Sequence, residues 1–146
     1  MVLHTVAGAA MAEDVADLRQ WLSTLPRGPE VSESVILACG RHDDDRPTWA
    51  YVEADPVAGV ARRRCLACAD AVPLLDSATR WTHPPMLACR SCGQSIVEVA
   101  AGLSLPDGEH VEWVVLGARC VACGRLAGLT DLLVDRLPLS QVLAGL

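Results

Sequence analysis

Four short steps carry the residues able to hold a metal ion: Cys39-Gly-Arg-His42, Cys65-Leu-Ala-Cys68, Cys89-Arg-Ser-Cys92 and Cys120-Val-Ala-Cys123. This spacing lets one tight turn direct two side chains at a single ion, and two such turns complete a tetrahedral zinc shell. The steps use all 7 cysteines and one of the 4 histidines. A disulfide framework would leave one thiol unpaired, whereas His42 brings the donors to the number that two four-coordinate sites require. Cysteines that were merely buried would have no reason to fall in i, i+3 pairs.

The steps can be grouped in two ways. Sequential grouping puts Cys39, His42, Cys65 and Cys68 in one site and Cys89, Cys92, Cys120 and Cys123 in the other; a cross-braced arrangement interleaves first with third and second with fourth. Internal similarity favours the sequential one. Met86-Leu-Ala-Cys89 repeats Ile36-Leu-Ala-Cys39, and Arg119-Cys-Val-Ala-Cys123 repeats Arg64-Cys-Leu-Ala-Cys68 at a similar offset, so the chain reads as two copies of one unit. Each copy then closes its own site over its own hairpin.

An ion with four protein ligands has no open position for water or substrate, so both sites are expected to be structural and the chain not to be an enzyme. Each would contribute on the order of 10 kcal/mol to folding. Iron, as in a rubredoxin-like electron-transfer site, is the alternative at the all-cysteine set. A thioredoxin-type role would need a Cys-x-x-Cys opening a helix within a β/α pattern, which is not evident. His83 reads as a loop residue, and as the reserve ligand in place of His42.

The elements that position these turns must be small. A chain of 146 residues makes one ordinary domain or two very small ones, and the small ones need a staple such as a metal. Apolar residues make up 51%, with no Phe and one Tyr, so the core is aliphatic with four Trp as its large rings. All 12 basic residues are arginine, and Lys and Asn are absent, a bias that points to a high-GC bacterial genome. The formal charge of −6 becomes about −9 with two zinc-thiolate sites. Such a surface is a poor general partner for a phosphate backbone. No apolar run approaches the ~20 residues of a membrane span. The first residues lack the basic start of a secretory signal, and paired thiols suit a reducing compartment, so a cytoplasmic location is expected.

Along the chain, residues 1–11 show no pattern and are expected to be loose, with Met11 an alternative translation start. Residues 12–30 form an amphipathic helix and linker: Val15, Leu18, Trp21, Leu22 and Leu25 share one helical face, and Pro26 ends the helix. Trp21 anchors this helix either on the rest of the fold or in a partner's groove. Residues 31–80 hold the first unit, with strands over 35–39, 48–53 and 60–64. Asp43 to Asp45 read as a solvated loop. Arg62, Arg63 and Arg64 either offset the thiolate field or contact a partner.

The stiff joint Trp81-Thr-His-Pro-Pro85 opens the second unit, residues 81–129, whose strands over 95–101 and 110–116 flank a Pro106-Asp107-Gly108 turn. In residues 130–146 the spacing predicts a short helix over 130–137 with Thr130 as N-cap, a break at Pro138, and one or two further turns. Its leucines are expected to pack against the N-terminal helix.

The two halves resemble tandem zinc ribbons, the domain type in which paired cysteine knuckles join a small antiparallel sheet. The second half carries the glycine that commonly follows such a knuckle, at Gly93 and Gly124; the first departs with His42, Asp43 and Ala69. The expected fold is therefore a small metal-stabilised α+β protein, two zinc ribbons flanked by an N-terminal helix and a short C-terminal one, with two Zn²⁺. Zinc ribbons serve in transcription, translation and macromolecular assemblies. The resemblance implies an adaptor or accessory subunit binding a protein partner, with nucleic-acid binding through Arg62, Arg63, Arg64, Arg90, Arg119 and Arg125 as the alternative. An electron carrier or metallochaperone is the third class. The sequence leaves the oligomeric state open.

Overall fold

The structure, a computed structural model, describes residues 3–6, 8–25, 28–41 and 49–146. His42, Asp43 to Asp45 and Pro26 lie outside the described residues. The elements are β1 (Leu3–Val6), β2 (Ala9–Ala12), α1 (Val15–Ser23), β3 (Glu33–Ile36), β4 (Ala50–Asp55), β5 (Val60–Cys65) and β6 (Ala71–Pro73). A 3₁₀ turn at Ser77–Arg80 follows, then β7 (Val97–Ser104), β8 (His110–Cys120), β9 (Leu126–Pro138) and α2 (Leu139–Ala144).

The strands expected as two short sheets join in one antiparallel sheet of seven, in the order β6-β5-β4-β7-β8-β9, with β3 also paired to β7. The join lies along one edge of β7. Its residues 100–103 pair with β3, and Val97 pairs with Ala50 of β4, while β8 takes the other edge. An uncovered β7 would present a row of unsatisfied backbone groups, and the first half of the chain covers it.

Two apolar cores flank this sheet. Leu103, Val111, Val114 and Leu116 meet Val52, Ala61, Leu74 and the C-terminal Val142 and Leu146 in the larger one. In the smaller one, α1 lays Leu18 and Leu22, fully buried, on Ala100, Trp113 and Val115, with Val15, Trp21 and Leu25 partly buried beside them. This is the helical face that the apolar spacing predicts, and Asp14 caps it by accepting a hydrogen bond from the Asp17 N–H at 2.9 Å. The helix sits close because β8 offers Gly117 beneath it: a Cβ there would lie 2.8 Å from Leu22 Cδ2.

Two segments differ from expectation. Within the stretch expected to be loose, residues 3–6 pair with residues 9–12 as β1 and β2, and Gly8 takes φ +82°. Residues 130–137, expected as a helix, are instead the greater part of the 13-residue strand β9, which pairs with β8 nearly throughout. Thr130 lies opposite Leu116 in that pairing and caps nothing. Leucine-rich segments fit either conformation locally, and the decision is non-local: the 11-residue β8 needs a second neighbour, and strand pairing buries Leu129 and Leu132 in the larger core.

Strand geometry puts Leu132 and Leu133 on opposite faces, 5% and 89% exposed. Leu132→Ala is expected to cost about 2–4 kcal/mol, whereas Leu133→Ala stays within about 0.5 kcal/mol. Denaturant unfolding of the metal-loaded variants checks this; equal losses at the two positions would contradict the strand.

Candidate metal centres

Three of the four cysteine steps share one backbone turn. In each, the first cysteine's carbonyl accepts the N–H of the residue four positions on: Ala69 to Cys65 at 2.9 Å, Gly93 to Cys89 at 2.8 Å and Gly124 to Cys120 at 2.8 Å. The first cysteine's N–H is donated to the residue five positions on, Asp70, Gln94 or Arg125. The closing residue takes the left-handed conformation, φ +62°, +77° and +84°. Gly93 and Gly124 enter that region freely, and Ala69 does so at a cost of about 1–2 kcal/mol. The departure from the glycine pattern at residue 69 has therefore not changed the turn.

These turns bring the cysteines together in the sequential grouping. Cys89, Cys92, Cys120 and Cys123 form one cluster and Cys39, Cys65 and Cys68 another, the sulfurs in each lying within 4.8 Å of one another. Cys89 to Cys123 and Cys92 to Cys120 are 3.6 Å apart, and Cys39 to Cys68 is 3.7 Å. A disulfide needs about 2.05 Å. A tetrahedron of thiolates around an ion at ~2.3 Å has edges of about 3.8 Å. The spacing fits a four-sulfur metal shell and not a covalent bridge. The first cluster has three described sulfurs, and His42, its expected fourth donor, lies outside the described residues. His83 belongs to neither cluster; it stands edge-on to Trp81.

Electrostatics at the four-cysteine cluster are uneven. Burial would raise the Cys89 thiol, but the Cys92 and Ser91 N–H groups and the neighbouring thiols outweigh it and bring the pKa down to about 7. At Cys123 burial leads, and the other three sulfurs add to it, pushing the thiol up to about 12. Burial also raises Cys120. One thiol is thus readily ionised, and at least two hold their protons until a cation replaces them.

The N-terminal segment is fastened to this same cluster. The Ala12 N–H donates to the Gly124 carbonyl at 2.9 Å, and a Cβ on Gly124 would lie 2.5 Å from the Ala12 carbonyl oxygen. Arg119, one residue before Cys120, donates to the Ala12 and Glu13 carbonyls and pairs with buried Glu98 at 2.9 Å. Sequence reasoning missed this clamp. Its only signal was the apolar run before α1, which looks the same in a loose tail.

The residues expected to face a partner are mostly engaged within the fold. Trp21 packs in the smaller core. Arg62 makes two hydrogen bonds to Glu53, at 3.1 and 2.7 Å, and its guanidinium lies 4.5 Å from the Trp81 ring centre. Arg63 is buried on the same strand face as Cys65, where burial lowers its pKa and the thiols of Cys39 and Cys65, with Asp70, partly offset that; its Nη2 donates to the Leu146 carbonyl oxygen at 3.0 Å. Arg64 reaches the Ala69 carbonyl at 3.4 Å. Arg63 thus lies within the field of the Cys39 and Cys65 thiols, and Arg62 stacks on Trp81.

Two outcomes test this geometry. Gly93 has open space around it and Gly124 does not, so Gly93→Ala is expected to cost about 1–2 kcal/mol and Gly124→Ala clearly more, because the Ala12 backbone has to move. Similar losses by thermal unfolding would contradict the clamp. Metal binding at pH 7 is expected to release at least the two protons of Cys120 and Cys123. Because these raised pKa values keep the thiols protonated well above neutrality, apparent affinity falls by at least about a hundredfold per unit as pH drops toward 7, and more steeply below it, where the Cys89 thiol is protonated as well; titration calorimetry in buffers of different ionisation enthalpy counts the protons. The chain matches no protein-family model, no curated protein and no solved structure, so the character of the site rests on its own geometry.

Proposed function

We propose that this chain is a zinc-binding protein–protein adaptor or accessory subunit of a bacterial cytoplasmic assembly, built as two zinc ribbons sharing one sheet. Two zinc ions, one in Cys89, Cys92, Cys120 and Cys123 and one in Cys39, Cys65 and Cys68 with His42, act as structural staples. Supporting the metal assignment are the 3.6 Å sulfur separations in the four-cysteine cluster. A shell of four protein ligands leaves the ion nothing to activate, so the chemistry is that of holding chain turns together.

The observation that carries the choice of a protein partner over nucleic acid is the placement of the arginines. Arg62 and Arg119 are paired with Glu53 and Glu98, and Arg63 is buried, so half of the cations that would track a phosphate backbone are already engaged within the fold. The surface instead carries isolated apolar side chains, Val57 and Leu133 being 96% and 89% exposed.

Elemental analysis of the purified chain is expected to give two zinc ions per molecule, and Cys120→Ser with Cys123→Ser to give one with the second half unfolded; an unchanged count would refute the pairing. Cross-linking in the native cell is expected to capture a protein partner with no binding to RNA or DNA at low salt. Salt-dependent nucleic-acid binding would overturn the adaptor assignment, and a visible absorption band from bound iron would overturn the structural zinc one.

A further inference from the structure

The two turns that supply the four-cysteine cluster are held by the rest of the fold to different degrees. The Cys89 turn faces solvent: Ser91, Cys92, Gly93 and Gln94 are exposed, and a Cβ on Gly93 would meet nothing within 4 Å. Its two backbone bonds close it on itself, from the Gly93 N–H to the Cys89 carbonyl and from the Cys89 N–H to the Gln94 carbonyl. The Cys120 turn makes the same two bonds, from the Gly124 N–H to the Cys120 carbonyl and from the Cys120 N–H to the Arg125 carbonyl. It then makes a third that leaves the turn, in which the Gly124 carbonyl accepts the Ala12 N–H at 2.9 Å. Gly124 and Ala12 are both buried.

Arg119 doubles this contact. It stands one residue before the ligand Cys120, and its guanidinium gives Nε to the Ala12 carbonyl at 2.8 Å, Nη2 to the Glu13 carbonyl at 2.6 Å and Nη1 to Glu98 at 2.9 Å. Ala12 is thus gripped at its N–H by the residue that closes the turn and at its carbonyl by the residue that leads into it. The backbone bridge between Met11 and Arg125 continues the same contact. None of these groups is placed to ligate the ion, and all of them bear on the turn that presents Cys120 and Cys123. Groups that hold a ligand-bearing segment fix where its donor atoms point, and losing them costs a metal site about 10–100-fold in affinity.

We propose that Arg119 and the backbone of residues 12 and 13 are positioning groups of the four-cysteine metal site, so that the strand pair β1–β2 sets how tightly this site holds its ion. Linkage makes the effect reciprocal: whatever factor docking of the pair adds to the ion's affinity, occupancy by the ion adds to docking. Residues 3–13 are then a flap whose position follows the occupancy of the site, and displacing the flap loosens the ion with no ligand touched. This role rests on the zinc assignment above and adds to it a means by which the rest of the chain adjusts the affinity.

Gly93 and Gly124 provide a matched pair for the test. Each closes a turn of the same site in the left-handed conformation, φ +77° and +84°, so alanine brings the same kind of backbone strain to both. Only at residue 124 does the new Cβ fall 2.5 Å from the Ala12 carbonyl oxygen and force β2 away. The zinc-loaded full chain is challenged with excess chelator and a thiol-alkylating reagent, and mass spectrometry of the labelled cysteines times zinc loss from each cluster separately. Gly124→Ala is expected to lose zinc from Cys89, Cys92, Cys120 and Cys123 at least about tenfold faster than Gly93→Ala does, with the rate at Cys39, Cys65 and Cys68 changed by less than about threefold. Ala12→Pro removes the N–H that faces Gly124 and leaves both turns of the site as they are; it should speed zinc loss in the same way, and adding Gly124→Ala to it should do no more than adding Gly93→Ala. Hydrogen exchange on the zinc-loaded variants keeps the reading local, with residues 10–13 losing protection and residues 114–118 keeping theirs. Equal zinc loss from the two glycine variants, or an acceleration shared by both clusters, overturns the positioning role and leaves the zinc assignment intact; a wild-type chain with no zinc on these four cysteines removes both. Should Gly124→Ala fail to fold, Ala12→Pro decides against wild type, and unchanged zinc loss refutes the role.

Discussion

Four sulfurs held within 4.8 Å of one another, two pairs of them at 3.6 Å, cannot all carry charge unless a cation sits among them. A pair of thiolates about 4 Å apart repels by about 4 kcal/mol at an effective dielectric of 20. The fold sets this constraint at its corners. Cys120 ends β8 and β9 begins at Leu126, so the Cys120 turn is also the connection of that hairpin; the Cys65 turn likewise joins β5 to β6. The cysteine turns are therefore not ornaments on the sheet. They set where one strand stops and the next begins, and with that the register of the two strands and which faces meet the core.

This explains which parts of the molecule were legible in the sequence. The cysteine turns are local: a ligand spacing, a left-handed closing residue and two backbone hydrogen bonds lie within six residues, and the amino-acid types report them directly. The grouping of the clusters followed from internal repetition, and α1 from its apolar spacing and the Asp14 cap. What stayed hidden depends on distant partners. Residues 130–137 carry a pattern compatible with a helix, and only the long edge of β8 decides for a strand. The pairing of residues 3–6 with 9–12 stayed hidden behind an ambiguous apolar run because it is held by the Gly124 carbonyl and by Arg119, more than a hundred positions away. The join along β7 was hidden for the same reason: neither half of the repeat shows where its outer edge will be covered.

The two halves are alike in their turns and unlike in what completes them. The second is closed by the early part of the chain, with β2 on the Gly124 turn and α1 over Gly117. The first is closed by the late part, where the Leu75 N–H donates to the Gly145 carbonyl at 2.8 Å and Arg63 reaches the Leu146 carbonyl oxygen. Val142 and Leu146 then share a core with Leu74 and Ala61. This reciprocal arrangement answers the limit on small units: each half of the chain is short for a core of its own, and each is covered by a segment from the far end of the chain. It also gives the buried Arg63 a place, between the Cys39 and Cys65 thiols and the C-terminal segment, where thiolate charge compensates a cation that would otherwise be costly to bury.

A sheet shared in this way couples the two clusters through β7. Cys39 follows from β3, which pairs with residues 100–103 of β7, and Cys89 and Cys92 precede β7, whose Val97 pairs with Cys120 on one side and Ala50 on the other. Ala50 in turn pairs with Cys65. A single row of backbone pairs therefore runs from one cluster to the other, Cys120 to Val97 to Ala50 to Cys65. An ion that fixes either end restrains the same row, so the ordering entropy of the shared strands is met once for both sites. Two separate sheets would each meet that cost alone, which is the physical advantage of joining these strands in one sheet.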